Sequence, residues 1–346
     1  MNTTEIHAIN AKLRALKSTF FDGDALNRLL SARSAEEVAI HIFPEIVISE
    51  VAVNVVTEFE IKLYNNSIQT FKKILKFSNS MRPLLLILIR RFEIANLKKI
   101  VKAVIFPRFK GEVRFLDISP YASFDPREAI RCNNLNELSD FLSSTHYKNI
   151  ILPNMAEMKN PAFVIENNLD KMYYSDLFDL CDNLPAHHSR VLEKFLKEET
   201  RFINLLWILR LKRYYDIDVK ELKNWVIHHK KCPFNASPYL SLFELKYEDE
   251  IISNIPSDLL RIIEKVYLES HGMLPDYDKI TLAEIEITIN KVLKKIYSRY
   301  FYQKYLSVTP ILSFFGLKLI EITNLNSIVE GFRFNLNRED IRKMII

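Results

Sequence analysis

The chain has 346 residues, 48% of them apolar and 26% charged, and its 48 basic and 43 acidic side chains leave a net charge of +5. That is globular composition at a length that favours two or three domains over a single core. Its 5 glycines, against roughly 24 at average usage, are too few for the phosphate turns and tight hairpins of Rossmann, P-loop or kinase-like enzymes, and its mild basic excess falls short of a dedicated nucleic-acid binder.

Helical periodicity runs through the sequence. Ile6, Ile9, Leu13, Leu16 and Phe20 recur in steps of three and four, Gly23 interrupts, and Leu26, Leu29 and Leu30 open a second, shorter segment. A long unbroken pattern then spans 49–77. Pro83 suits the first turn of a helix reaching Val104, with Pro107 and Gly111 closing it. The stretch 116–160 is richer in Asp, Asn, Ser and Pro and reads as a crossover carrying one short helix, Leu135 to Leu142. Helices follow at 162–180 and 188–214. Asp218 with Glu221 forms a capping box for a further one to His229. Pro233, Pro238 and Pro256 punctuate shorter helices, 281–304 and 308–332 are long, and a last helix starts at Asn337 with Glu339 and Asp340 in its first turn. Strand signals are sparse; Ile46 to Ile48 is short enough to be buried helix instead.

Three cysteines, Cys132, Cys181 and Cys232, lie without any C-x-x-C pair, which fits a reducing cytoplasm better than a disulfide or zinc framework. The N-terminus has no charged segment leading into an apolar core, so no signal peptide is expected. The strongest contiguous apolar run, Leu84 to Ile89, is far short of the ~20 residues of a bilayer span. A soluble chain is expected, one still able to sit on a membrane complex.

The most informative feature is an internal repeat. Asn-Leu-x-x-Ile occurs at Asn96-Leu97-x-x-Ile100, at Asn204-Leu205-x-x-Ile208 and at Asn324-Leu325-x-x-Ile328, with spacings of 108 and 120 residues. Glu58, Glu166 and Glu286 each stand 38 residues before their Asn. In the first and third copies an acid, Glu93 or Glu321, precedes Asn by three; the second has Arg201 there. Leu26-x-x-Leu29-Leu30, Leu138-x-x-Phe141-Leu142 and Leu259-x-x-Ile262-Ile263 echo one another more loosely. The pattern predicts an all-α protein of three related helical domains, 1–115, 116–232 and 233–346. An Asn on an apolar stripe costs stability unless its amide is bonded. The expected role of each is therefore to tie its helix to a neighbouring segment and so fix domain geometry; the other reading is contact with a partner.

The segment Arg91–Ile100, the stretch Leu319–Gly331 followed by Leu336–Ile341, and Leu138 to Tyr147 together resemble the C subunit of the V/A-type (vacuolar/archaeal-type) rotary ATPases, the family that includes the d subunit of the eukaryotic V-ATPase. The likeness spans essentially the whole chain, and Arg201 is its chief departure. It implies a funnel of three domains about a pseudo-three-fold axis, one copy per complex. It also implies a peripheral place on the cytoplasmic side, between the central shaft and the membrane proteolipid ring. On that reading the chain is a stiff, non-catalytic rotor part that couples ATP turnover to proton or sodium translocation. The alternative is a helical adaptor that binds polyanionic partners through its basic clusters.

Those clusters are Lys98, Lys99, Lys102, Arg108, Lys110 and Arg114, then Arg210, Lys212 and Arg213. They are read either as solvated helix faces or as contacts for acidic ring loops or lipid headgroups. His228 and Cys232 would share a helix face, but Pro233 follows and no second ligand pair has suitable spacing, so no metal or other cofactor is expected. Asp276-x-Asp278 lacks the glycine and closing glutamate of an EF-hand loop. Glu198 and Glu199 look like ordinary surface, and no nucleophile–base constellation can be assembled.

Overall fold

A computed structural model describes residues 3–46, 52–76, 78–151, 155, 160–215, 217–244, 254–276, 280–304 and 306–346. Ile48 and Asp278 lie outside the described residues. The protein is all-α: among the described residues there is no strand, and the nearest thing to one is an isolated antiparallel bridge between His229 and Cys232. Among the described residues the α-helices are α1 (Thr3–Lys17), α2 (Gly23–Leu29), α3 (Ala35–Ile42), α4 (Ala52–Lys76), α5 (Arg82–Ile105), α6 (Pro126–Ala129), α7 (Leu135–Leu142), α8 (Pro161–Leu180), α9 (Ala186–Tyr214), α10 (Leu222–Trp225), α11 (Leu240–Glu244), α12 (Ser257–His271), α13 (Leu282–Gln303), α14 (Thr309–Arg333) and α15 (Arg338–Met344).

The chain divides into two compact units, Ile61–Leu180 and Asn2–Glu60 with Cys181–Ile346. In the first, α5 packs along α8, with α6 and α7 against α5. In the second, α13 and α14 form the most extensive helix pair; α9 and α12 pack on α13, and α1, α3 and α15 on α14.

Local chemistry accounts for the helix ends. Pro83 sits in the first turn of α5, and Pro107, which disfavours helical backbone at Phe106, ends it in a 3₁₀ turn, Pro107–Glu112. Thr281 and Glu284 form a reciprocal capping box at α13. Gly272 closes α12 with φ of 75°, a left-handed conformation that favours glycine. Helix α3 is absent from the periodicity reading, although Ser34 accepts from the Glu37 amide and Glu37 takes the Arg33 amide, a cap written plainly in the sequence.

The helix expected over 218–229 is cut short. Asp218 caps a 3₁₀ turn, Val219–Glu221, α10 makes one turn, and the backbone is extended from Val226. His228 and Cys232 therefore do not share a helix face. Both instead flank the turn made by the 229–232 bridge, where His228 Nδ1 accepts from the Phe234 amide.

Helix α14 is long and apolar enough to cross a bilayer, but 72% of its most apolar stretch is buried inside the protein. Glycine permits its closest approach: a Cβ on Gly316 would lie 2.6 Å from the Tyr297 ring on α13, and one on Gly331 would lie 2.5 Å from Ile341 on α15.

Candidate functional site

The three motif asparagines make the same structure three times. Asn96 Nδ2 donates to the Leu116 carbonyl and its Oδ1 accepts from the Leu116 amide, both at 2.9 Å. Asn204 does the same with Ile227, at 3.0 and 2.8 Å, and Asn324 with Ile346, at 3.0 and 2.8 Å. Each side-chain amide imitates a peptide group, exchanging both hydrogen bonds with one residue of an extended segment beside its helix. All three are buried, as are their Leu and Ile companions, Leu97, Ile100, Leu205, Ile208, Leu325 and Ile328. The second clamp also explains the lost helix: once Asn204 holds both polar backbone groups of Ile227, they are unavailable to a helical ladder.

The position three residues before Asn organises what comes next in the chain. Glu93 accepts from the Ser123 amide and from the Tyr147 hydroxyl (2.7 Å), anchoring the segment that carries α6 and α7. Glu321 accepts from the Phe21 amide at 2.7 Å, and Lys318 pairs with its other oxygen. The segment after Phe21 carries α2 and α3, and it matches the α6–α7 segment in detail. Ser34 and Asn134 cap α3 and α7, and Glu37 and Glu137 take the Arg33 and Asn133 amides at 2.8 Å each. The caps on α5 and α14 are thus equivalent, although the second lies at the opposite end of the sequence from its helix. In the middle copy Arg201 keeps the position but reverses the charge, and it pairs with Asp258 at the start of α12.

A further contact recurs six residues after Asn. Lys102 pairs with Glu166 on α8 (3.1 Å), and Arg210 grips Glu286 on α13 with two bonds of 2.9 and 2.8 Å. The third copy breaks the rule, for Glu330 stands there and pairs with Arg333 of its own helix, while Glu58 is exposed.

Most candidate partner-binding cations are engaged inside their own unit. Lys98 pairs with Asp170 (2.6 Å). Lys99, Lys110 and Lys212 donate to the carbonyls of Arg114, Cys132 and Phe243. Arg108 and Arg213 are exposed, with the Arg108 guanidinium over the Phe109 ring at 4.7 Å.

Sequence reasoning missed the role of Glu198 and Glu199. Glu199 is buried and accepts from the Tyr297 hydroxyl (2.7 Å); Glu198 accepts from Tyr300 (3.0 Å) and pairs with Arg299. An acid pair in sequence carries no sign of the tyrosines that α13 brings to it.

Two cavities border the clamps. One of about 550 Å³ is lined by Glu93, Asn96, Leu116 and the loop to Arg127; another, of about 360 Å³, is lined by Thr200, Arg201, Asn204, Ile227 and Lys231. The lining of the first also includes Asp117, Asp125 and Arg127, and that of the second Lys197 and Asp258. Among the described residues no three His, Cys, Asp or Glu side chains group to hold a metal ion. Burial pushes the Tyr147 hydroxyl well above the ordinary phenol range, with the Glu93 carboxylate acting in the same direction. Burial likewise pushes the Cys181 thiol up to about 11. Both groups therefore stay protonated at neutral pH, one as a donor and the other as core.

The arrangement is a repeated structural clamp. The profile of the ATP synthase (C/AC39) subunit family matches residues 9–344. The chain belongs to that family. The A-type ATP synthase C subunit of Methanococcoides burtonii is 25% identical over 98% of this chain and 93% of its own. Those of Haloferax volcanii (24%, over 97% and 96%) and Methanocaldococcus jannaschii (20%, over 98% and 85%) are similar along the same span. In this C/AC39 family member, the resemblance read from Arg91–Ile100 and Leu319–Ile341 and the all-α fold both stand.

Proposed function

We propose that the chain is a non-catalytic central-stalk subunit of a V/A-type rotary ATPase, linking the central shaft to the membrane proteolipid ring. In that role it couples ATP turnover elsewhere in the complex to proton or sodium movement. Membership of the C/AC39 family and the names of its relatives, each the C subunit of an A-type ATP synthase, support a place in such a complex. The observation that carries the finer role is the clamp made three times, by Asn96, Asn204 and Asn324. A part that transmits torque must resist shear between its modules. Buried two-way hydrogen bonds, closed on backbone rather than on mobile side chains, supply that stiffness.

On this reading the three modules surround a pseudo-three-fold axis as a funnel, one copy per complex, peripheral on the cytoplasmic face. It binds no nucleotide or metal of its own. Native mass spectrometry of the chain with the shaft subunits, and with the detergent-solubilised ring, tests it. A one-to-one assembly with each is expected. Association with neither, together with salt-sensitive capture by a polyanion such as heparin, would instead support an adaptor working through Arg108, Arg213 and their basic neighbours.

A further inference from the structure

The motif helix of the middle copy departs from the other two along one face. Seven, four and three residues before Asn stand Ile89, Phe92 and Glu93 in α5 and Leu317, Ile320 and Glu321 in α14, all of them buried. In α9 the same three positions hold Lys197, Thr200 and Arg201. Two large apolar groups, which stabilise a core by being buried, are replaced by an ammonium and a hydroxyl, and the carboxylate by a guanidinium. All three replacements line one space, the cavity of about 360 Å³ beside the second clamp. Changes that exchange core packing for polar groups around a single void are the mark of a binding site rather than of a drifting core.

The rest of the lining suits an anion. Lys231 brings a third cation, and Asp258 is the only carboxylate among the described residues of the lining. Lys197 pairs with Glu193 (2.6 Å), Arg201 with Asp258 and Lys231 with Asp182, but Glu193 and Asp182 lie outside the lining. An ammonium has three donors and a guanidinium five, so each cation keeps donors for a further oxygen. Phe234 and Tyr239 stack with ring centroids 5.5 Å apart, and burial pushes the Tyr239 phenol up to about 12, which leaves it a hydrogen-bond donor at neutral pH. Pro233, Pro238 and Pro256 stiffen the loops that border the cavity, so its walls are set before a ligand arrives.

We infer that this cavity binds a small phosphate-bearing anion, with Lys197, Arg201 and Lys231 as its counter-ions and the Tyr239 hydroxyl as a neutral donor. A phosphate group carries a charge of about −1.5 to −2 at neutral pH, which three cations match better than they match a single carboxylate. The cavity is at the small end of ligand pockets, a size for inorganic phosphate or a short phosphomonoester. All of its residues belong to one compact unit, and the site stands whether or not the rotor reading does.

Isothermal calorimetry of the full chain with sodium phosphate, and separately with glycerol phosphate, tests it, sodium chloride holding the ionic strength constant. Saturable one-to-one binding is expected, with a rise in melting temperature as the anion is added. Lys197→Leu restores the residue type of the other copies, so it should weaken binding roughly tenfold while keeping or raising the melting temperature of the ligand-free chain. Arg201→Gln should weaken binding by a similar factor. Asp258→Asn removes the competing carboxylate and should tighten binding severalfold, a gain that a purely structural role does not produce. Tighter binding of glycerol phosphate would name a phosphomonoester as the occupant and tighter binding of phosphate the free ion, and either result supports the site. No saturable heat with either anion up to about 10 mM, or undiminished binding by a folded Lys197→Leu/Arg201→Gln double variant, would overturn it. If the double variant does not fold, Asp258→Asn decides: binding unchanged or weakened there would overturn the site.

Discussion

Replacing Asn96 by leucine, a side chain of similar volume, leaves the Leu116 amide and carbonyl without the partners that Asn96 gives them. Each unsatisfied backbone group costs about 1–3 kcal/mol, so the pair predicts a loss of about 2–6 kcal/mol, a large part of the ~5–15 kcal/mol that holds a typical domain. The same loss is expected for Asn204→Leu and Asn324→Leu, because all three clamps share one geometry. Urea unfolding gives the total, and hydrogen exchange resolved at the amides of Leu116, Ile227 and Ile346 shows where it falls. The protected amide should become fast only at the clamp that was altered. Asn96→Asp separates hydrogen bonding from shape. One carboxylate oxygen still accepts the Leu116 amide while the other faces the Leu116 carbonyl, so the folded state raises the carboxyl pKa above its unfolded value. The charge penalty is then absent below the unfolded value of about 4 and sets in as pH rises through the folded one, so this variant recovers in acid and the leucine variant does not. Losses under ~0.5 kcal/mol at all three sites, with exchange unchanged, would refute the reasoning.

Tyr147→Phe should cost about 1–2 kcal/mol at neutral pH and flatten the alkaline limb of stability, because the buried phenol keeps its proton until unfolding releases it above pH ~10; a limb as steep as the wild type's in pH-resolved unfolding would contradict this. Cys181→Ala should remove the corresponding loss between about pH 9 and 11, read from the same titration. Gly316→Ala should destabilise by about 1–3 kcal/mol through overpacking, and Tyr297→Leu should be less harmful in that background than alone, since the ring is what the new methyl meets; additive losses in calorimetry would count against it. For Arg210 and Glu286, a double-mutant cycle should return about 0.5–1 kcal/mol of coupling, reduced in 1 M salt.

Much of the fold is legible in the sequence where chemistry is local. Pro83, Pro107, Asn134, Asn337 and the apolar periods place α5, α7, α14 and α15 within a residue or two of where they lie. The clamps are legible as well, because an Asn repeated on an apolar stripe demands a partner, although the partner's identity is not. Leu116, Ile227 and Ile346 carry nothing that marks them, since only their backbone is used. The helix expected to reach His229 fails for the same reason: Asn204 lies 23 residues away and takes the backbone that local signals assign to a helix. Glu199 and Tyr297 meet across 98 positions, and periodicity cannot report such a contact.

The bond from the Phe21 amide to Glu321 spans 300 positions. At translation speeds of about 5–20 residues per second, the N-terminal segment leaves the ribosome roughly 15–60 s before the helix that receives it. For that interval the apolar side of α3, with Val38 and Ala39, has no surface on α14 to cover it. Newborn chains should therefore be caught by chaperones at their first fifty residues and released only when synthesis is nearly complete. Moving those residues to the other end by circular permutation would remove the wait.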